Sequence, residues 1–545
     1  MIASAHVDTF ARDNLPPAAL QPEFLFDLPE LQYPDRMNAC VELLDNAVAR
    51  GLGDRPCIVT PAETLNYAQL LERVNRIASV LVNDLGMVPG NRVLLRSANN
   101  AMMAASYLAV LKAGGIAVAT MPLLRAKEIS YVIGKAKVAF ALCDSRLGEE
   151  MDKAKSLAPE LKQLVYWGSG DLEKRMAQPG YENFSACNTA ASDVCLIAFT
   201  SGTTGQPKGT MHFHRDLLSV CDTYGRHVLR ANADDRFIGS PPLAFTFGTG
   251  GLLFFPMRAG ASTVLLEKAG PDELLAAIEQ HRATVCFTAP TAYRALLGKL
   301  DGRDIASLRK CVSAGEALPK ATWEAWHAAT GISILDGIGS TEMLHIFIGS
   351  PEEDLRPGAT GKPVPGYQAK IIDNDGNALP PNVPGRLAVR GPTGCRYLAD
   401  ERQRKYVEDG WNITGDTYLC DKEGYFWYQA RSDDMIVSAG YNIAGPEVES
   451  VLLSHPAVAE CGVVGAPCPE RGQIVKAFIV LRPGFAGDAT MTKILQEFVK
   501  AEVAPYKYPR AVEYVSSLPK TDTGKLQRFR LREAAAASAN AKLAS

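Results

Sequence analysis

Residues 200–210, TSGTTGQPKGT, gather the groups that hold a phosphate. Gly202, Gly205 and Gly209 let the backbone approach an anion closely, and exposed N–H groups make a nest for it. Ser201, Thr203 and Thr204 add hydroxyl donors, and Lys208 adds a point charge. The string is not the G-x-x-x-x-G-K-[ST] loop, because Lys208 follows Pro207 and precedes Gly209. Kinase and GTPase chemistry are therefore disfavoured. His212 and His214 stand two apart, which does not make a metal pair on a helix, and no third ligand is near in sequence. Helix entry and packing under the loop are their expected roles.

The elements that must position this loop are legible around it. DVCLIAFT is an apolar strand ending at Thr200, and helical spacing runs through Leu217, Leu218, Cys221, Tyr224 and Val228. The reading is strand, glycine-hydroxyl loop, helix. Upstream, Leu70, Leu71, Val74, Ile77 and Leu81 recur at helical spacing; RVLLRS (92–97) is a strand; 101–112 is helical; GIAVAT (115–120) is a strand. This βαβ rhythm implies α/β layers with much parallel sheet, and it is expected to run to about residue 400. The last hundred or so residues read as a small α+β unit of short helices and strands, with the boundary near QARSDDMIVSAGYN (429–442).

Composition sets outer limits. At 545 residues the chain exceeds what one hydrophobic core normally organises, so two or more domains are expected. It is 47% hydrophobic and 21% charged, with net charge −3, which gives no reason to expect nucleic acid or an anionic membrane as partner. Twelve scattered cysteines without C-x-x-C favour a reducing cytoplasm over a disulfide framework or zinc cluster. The start lacks a basic region followed by an apolar one, so no secretion signal is expected. The apolar stretch from Ala101 to Leu124 is broken by Lys112 and Gly114-Gly115, and reads as a buried helix followed by a strand rather than a membrane span.

The loop resembles the phosphate loop of the adenylate-forming superfamily, which includes acyl- and aryl-CoA synthetases, luciferases and peptide-synthetase adenylation domains. Further strings resemble that family's motifs in the expected order. SAGEALP (313–319) and DGIGSTE (336–342) resemble its adenine-binding segments, WNITGD (411–416) its ribose motif, ARSDDMIVSAGYNIAGPEVE (430–449) its hinge, and LPKTDTGKLQR (518–528) its C-terminal lysine loop. The resemblance implies a large multi-sheet α/β N-terminal domain, residues 1–432, and a small mobile α+β C-terminal domain, 433–545. It implies ATP, Mg²⁺ and coenzyme A as cosubstrates and cofactor. A carboxylate and ATP would give an acyl-adenylate and pyrophosphate, and a thiol would then take the acyl group.

Roles follow residue by residue from the resemblance. Thr200, Ser201, Gly202, Thr203, Thr204 and Lys208 would bind the phosphates, with Thr204 and Lys208 also assisting catalysis. Gly315, Glu316, Ala317, Asp336, Gly337, Ile338, Ser340 and Thr341 would line the nucleotide. Glu342, with Thr204, would hold Mg²⁺; as a residue type alone, Glu342 also suits a helix N-terminus. Asp416 would accept from the ribose hydroxyls beside Arg431. Lys525 would bridge the carboxylate and the α-phosphate. Asp433 would be the hinge about which the small domain rotates between the half-reactions, and Gly440 would line a pantetheine tunnel. The family often has Ser-Gly where this chain has Ala439-Gly440.

The acid pocket should be built from PPLAFTFGTGG (241–251), from Ala314 and Gly315, and from residues around Glu342. Phe245, Thr246, Phe247, Ala314, Gly339 and His345 are its candidates. Amino-acid-activating relatives place an aspartate in the first string; here the run is Ala244, Phe245, Thr246, Phe247, so an α-amino acid is not expected. Aromatic walls and small residues suit a flat apolar ring. His345 could hydrogen-bond the substrate or be a core histidine, and both stay open. GSTEMLHIF resembles the benzoate-CoA ligase subgroup, and the N-terminal PEFLFDLPELQYPDRMN together with QARSDDMIVSAGYNIAGPEVE (429–449) resembles 2-aminobenzoate-CoA ligases. The expected enzyme is an aryl-CoA ligase, with 2-aminobenzoate first and benzoate or hydroxybenzoate as alternatives. Twenty residues follow Lys525, too few for a carrier domain, so coenzyme A is the expected thiol. A stand-alone enzyme loading a separate carrier, and a binding protein that has lost catalysis, are the rival readings. The oligomeric state stays open, with a homodimer as the candidate assembly.

Overall fold

The computed structural model describes residues 3–200, 207–431, 434–438, 441–468, 471–503, 505–520 and 525–544. Two large sheets form the first four hundred residues' frame. One has six strands in the order Gln163–Trp167, Phe140–Asp144, Arg92–Arg96, Ile116–Thr120, Val194–Thr200, Lys208–Phe213. All its neighbours are parallel except the last pair. The other has nine strands, parallel through its middle and antiparallel at both ends.

Helices Tyr67–Ser79 and Ala101–Lys112 pack against each other. The first starts at a reciprocal cap: the Gln69 N–H donates to Asn66 Oδ1 at 2.8 Å, and the Asn66 N–H donates to Gln69 Oε1 at 2.9 Å. Its Leu70, Val74 and Ile77 are fully buried, each worth about 1.5–3 kcal/mol relative to exposure. The second is buried on nearly every side, which explains its unbroken apolar sequence. Its terminal Lys112 is buried too, and Nζ donates to Asp45 Oδ1 at 2.5 Å and Asn75 Oδ1 at 2.6 Å. Among the described residues, no helix is long and apolar enough to cross a membrane.

Two expectations need correction. The phosphate-type loop does not run from strand into helix. Lys208–Phe213 is a strand antiparallel to Val194–Thr200, with Thr200 opposite Lys208, so the loop closes a hairpin and the helix begins only at His214. That short strand is buried from Gly209 through Phe213 and carries no alternation of its own, and a stronger helical signal follows it directly. The α/β rhythm also stops before residue 400. After helix Lys320–Thr330 the described chain has no helix longer than four residues until Gly445–Ser454. Between them lies an antiparallel sheet of Gln368–Ile372, Gly385–Arg390, Trp411–Cys420, Val407–Glu408 and Phe426–Arg431. Its tight turns use Gly376 and Gly424 at φ 88° and 85°, which side chains rarely adopt.

Strand Phe426–Arg431 pairs in that sheet, whereas Ile436–Ser438 pairs with Gly472–Leu481 in a separate C-terminal sheet. There the long hairpin Val458–Cys468 and Gly472–Leu481 is covered on both faces. Val463, Ala477 and Ile479 pack with Leu495 and Val499, while their neighbours Val464 and Phe478 pack with Leu531 and Ala535. This is period-two alternation with apolar residues on both sides.

Candidate active site

Three distant segments meet at one oxygen. Lys208 begins the second strand of the hairpin, Glu342 follows strand Ile334–Gly339, and Tyr397 lies beside strand Lys208–Phe213. The Tyr397 hydroxyl donates to Glu342 Oε1 at 2.5 Å and accepts from Lys208 Nζ at 2.5 Å. Lys208 Nζ is also 3.4 Å from Glu342 Oε1 and 4.4 Å from the Tyr397 ring centroid. Glu342 and Tyr397 are buried. Burial, and then the Glu342 charge, push the Tyr397 phenol far above its usual range, so it stays a donor. Tyr397 escaped the sequence reading, since CRYLAD has no spacing that announces chemistry.

A buried ion pair supports this cluster from beneath. Arg396 Nη1 donates to Asp216 Oδ2 at 2.7 Å, and neither residue has exposed surface. The guanidinium lies 3.8 Å from the Phe213 ring centroid and 4.2 Å from that of Phe24. Burial raises the Asp216 carboxyl, but Arg396 and the neighbouring His212 overcome it and hold the pKa at about 2. His212 Nε2 hydrogen-bonds the Thr341 carbonyl oxygen at 2.8 Å, which ties the hairpin to the turn bearing Glu342. His214 is the first residue of the helix, and its Nδ1 accepts from the Ala39 N–H at 3.1 Å.

The nucleotide candidates belong to separate elements. Asp336, Gly337 and Ile338 belong to strand Ile334–Gly339, and Ser340 and Thr341 follow it directly. Asp336 Oδ1 is buried without a hydrogen-bond partner, and burial pushes the carboxyl up to about 7. The Ser340 hydroxyl accepts from the Met343 N–H at 3.2 Å. Asp416 and Arg431 are direct cross-strand partners, with Arg431 Nη1 3.2 Å from Asp416 Oδ1. Burial raises the Asp416 pKa, and Arg431 opposes it.

Gly315, Glu316 and Ala317 follow strand Lys310–Ser313. Lys525 reaches this loop from the C-terminal part of the chain: its Cε and Nζ stand 3.4 and 3.5 Å from where a Cβ on Gly315 would be. Lys525 is exposed, yet protein packed around its ammonium desolvates it and lowers its pKa; Glu316 opposes that shift and Arg431 adds to it. Burial raises the Glu316 carboxyl, and Lys525 opposes it.

Of the expected acid-pocket residues, Phe247 and Gly339 stand against His345. Its ring centroid is 4.5 Å from that of Phe255, 5.6 Å from Phe247, 5.7 Å from Tyr224 and 6.4 Å from Phe287. Neither ring nitrogen has a side-chain partner. Burial pulls the pKa down to about 3, with the Phe247 backbone opposing, so the imidazole is neutral at ordinary pH. A Cβ on Gly250 would come 2.3 Å from His345 Cδ2, and one on Gly339 would come 2.7 Å from the His345 carbonyl oxygen. Glycine is required at both. Ala314 is buried, and Phe245 and Thr246 open the short helix Thr246–Thr249 next to Phe247. Tyr224, Phe255 and Phe287 were not foreseen as pocket residues; Tyr224 showed only as one face of a helix.

Ser201, Gly202, Thr203, Thr204, Asp433 and Gly440 lie outside the described residues. Among the described residues, no three His, Cys, Asp or Glu side chains converge on a common point. Glu342 offers one carboxylate of the kind Mg²⁺ takes; that ion commonly binds one or two carboxylates and completes its shell with substrate phosphates and water.

Comparison with known proteins places these features among relatives. A family model described as AMP-binding enzyme matches residues 44–397, and one described as AMP-binding enzyme C-terminal domain matches residues 447–525. A benzoate–CoA ligase of Thauera aromatica is 36% identical over 514 residues, covering 93% of this chain and 98% of that protein. The crystal structure of an anthranilate CoA ligase, AuaEII, in complex with anthranoyl-AMP matches with a TM-score of 0.90 at 35% identity, covering 94% of this chain and all of that one (100%). A benzoate CoA ligase from Burkholderia xenovorans LB400 matches with a TM-score of 0.82 at 31% identity, covering 91% and 100%.

Proposed function

The chain belongs to the AMP-binding enzyme family, as an AMP-forming acyl-CoA ligase, and from that premise we propose that its acid is a small aromatic carboxylate, 2-aminobenzoate first. The observation that carries this reading is His345: a neutral imidazole whose nitrogens have no side-chain partner, set among four aromatic rings. Such a site favours a flat ring bearing one hydrogen-bonding substituent. None of Phe245, Thr246, Phe247 and His345 offers a carboxylate for an α-ammonium group. The solved relative in complex with anthranoyl-AMP supports the choice of 2-aminobenzoate over benzoate.

In the first half-reaction a carboxylate oxygen attacks the α-phosphorus of ATP, and the bond to pyrophosphate breaks. Lys525, held at Gly315, neutralises charge where the two anions meet. Lys208 and the phosphate-loop residues Thr200, Ser201, Gly202, Thr203 and Thr204 hold the polyphosphate. Glu342, with Thr204, would hold Mg²⁺, which when bound screens the phosphate charge. Asp416 and Arg431 orient the ribose, and Asp336 and the Gly315–Ala317 segment receive the adenine. In the second half-reaction the coenzyme A thiol attacks the acyl carbon and AMP leaves. For that step residues 433–545 turn about Asp433 as a mobile domain on residues 1–432, withdrawing Lys525 and bringing Gly440 to the thiol's path. All twelve cysteines are free thiols, which suits a reducing cytoplasm.

Pyrophosphate release from MgATP tests the reading, with benzoate, 2-aminobenzoate, hydroxybenzoates, phenylacetate and a medium-chain fatty acid, each with and without coenzyme A. Preference for 2-aminobenzoate, with coenzyme A needed beyond a single turnover, is the expected result. Preference for the fatty acid would overturn the pocket assignment. A single turnover unaffected by coenzyme A would point instead to a carrier-protein thiol.

A further inference from the structure

We propose that Tyr397 is a positioning residue for adenylation, its hydroxyl fixing Glu342 and Lys208 as one unit for the metal–nucleotide complex. This rests on the proposed role of Glu342 as the metal's carboxylate. The bonding has one consistent assignment. A lysine ammonium only donates, so the Tyr397 oxygen accepts from Lys208, and its single proton goes to Glu342 Oε1. Both contacts are 2.5 Å, and each partner comes from a different part of the chain.

The tyrosine is itself held rigidly. Its N–H donates to Gln403 Oε1 at 2.9 Å. The residues on either side are laced to the hairpin strand: the Met211 N–H donates to the Arg396 carbonyl, and the Leu398 N–H to the Gly209 carbonyl, both at 2.8 Å. The ring packs edge-on against Tyr406 at 5.7 Å. A phenyl ring would fill the same space and keep its face toward Lys208, so packing and hydroxyl are separable. Without the hydroxyl, Lys208 and Glu342, already 3.4 Å apart, would pair directly, and the carboxylate would lose its fixed orientation. Partners of this kind on a metal-binding carboxylate are worth about 10–100-fold in metal affinity or activity.

Tyr397→Phe tests this in the full-length enzyme. Binding of ATP is measured by calorimetry with Mn²⁺ and with EDTA, alongside KM for MgATP and for the acid. Thioester formation from supplied aryl-adenylate and coenzyme A is followed separately. The expected result is an Mn²⁺·ATP dissociation constant raised by about 10-fold or more, with a matching loss of adenylation. KM for the acid, thioester formation and ATP binding in EDTA stay unchanged. Unchanged Mn²⁺·ATP binding, or equal loss of both half-reactions, overturns the proposal. Should Tyr397→Phe fail to fold, Tyr397→Met, which also removes the hydroxyl, decides on the same readings: loss of both half-reactions there overturns it, and selective loss of Mn²⁺·ATP binding upholds it. If wild-type ATP binding is the same with Mn²⁺ and with EDTA, the metal role of Glu342 fails, and this proposal with it. Metal-dependent binding in wild type that Tyr397→Phe leaves unmoved removes only the role of Tyr397.

Discussion

The Lys525 side chain lies against Gly315, with Cε and Nζ 3.4 and 3.5 Å from the position of a missing Cβ. Gly315 has φ 89°, a conformation that costs other residues about 1–3 kcal/mol. Gly315→Ala should therefore act twice, straining the loop and pushing Lys525 from its seat. Adenylation should fall, while thioester formation from supplied adenylate survives, because the second half-reaction does not need the lysine there. A Tm loss with equal decline of both half-reactions would reduce Gly315 to a backbone role.

Lys525 should show its charge in the pH profile. Lys525→Ala should cut adenylation by about 100-fold or more and leave thioester formation intact. Desolvation, with Arg431 adding and Glu316 opposing, lowers the ammonium's pKa below the ordinary lysine value. The protonated form is the active one, so adenylation should decline at a pH below that of an unperturbed lysine. Lys525→Arg, whose side chain stays protonated, should lose that alkaline limb. An unmoved limb in the arginine variant would assign the titration elsewhere.

His345→Phe should separate recognition of the ring from recognition of its substituent. The phenyl ring keeps the aromatic enclosure and removes both ring nitrogens. KM for 2-aminobenzoate should rise on the order of 10-fold, the worth of one hydrogen bond, with KM for benzoate and MgATP little changed. Equal effects on benzoate and 2-aminobenzoate would make His345 a packing residue.

Acid should destabilise the fold partly through the same ring. Burial lowers His345 and His214 to about 3 each in the folded chain, from 6.5. Asp336 works in the opposite sense, raised by burial from 3.8 to about 7. Between pH 6.5 and 3.8 the unfolded chain takes two histidine protons that the folded chain refuses, while folded Asp336 takes one that the unfolded chain refuses. From these three groups, one net proton favours unfolding on acidification, about 1.4 kcal/mol per pH unit at most. Below 3.8 Asp216, held at about 2, adds to the loss. Thermal melts across pH 7 to 4 should show Tm falling in wild type and a flatter profile in His345→Phe. A steeper profile in that variant would contradict the buried neutral imidazole.

What was legible in the sequence, and what was not, divides along physical lines. Strand Arg92–Arg96 and helix Ala101–Lys112 stand where local periodicity places them, because each is buried along its whole length. The hairpin strand Lys208–Phe213 was missed, since its pairing with Val194–Thr200 depends on a partner and not on its own short pattern. Tyr397 is the same kind of omission at the site. Its contact with Lys208 spans 189 residues, and only the folded chain brings Arg396 and Leu398 to the hairpin edge that aims it. His345 was visible as a residue, but Tyr224, Phe255 and Phe287 around it come from separate elements whose convergence no local spacing encodes.

The pair Arg396–Asp216 should be costly to break and cheap to replace. Both side chains are fully buried, so removing one leaves the other's charge without water or partner. Asp216→Ala should lower stability by about 3–5 kcal/mol. The hairpin strand would also lose the anchor at Phe213, whose N–H donates to Asp216 Oδ2 at 3.0 Å. Asp216→Leu combined with Arg396→Met removes both charges and keeps most of the volume, so it should recover much of that loss. Denaturant melts of the three proteins decide it. If the double variant is no more stable than Asp216→Ala, the pair's contribution lies in its hydrogen bonds to the backbone and not in mutual neutralisation of charge.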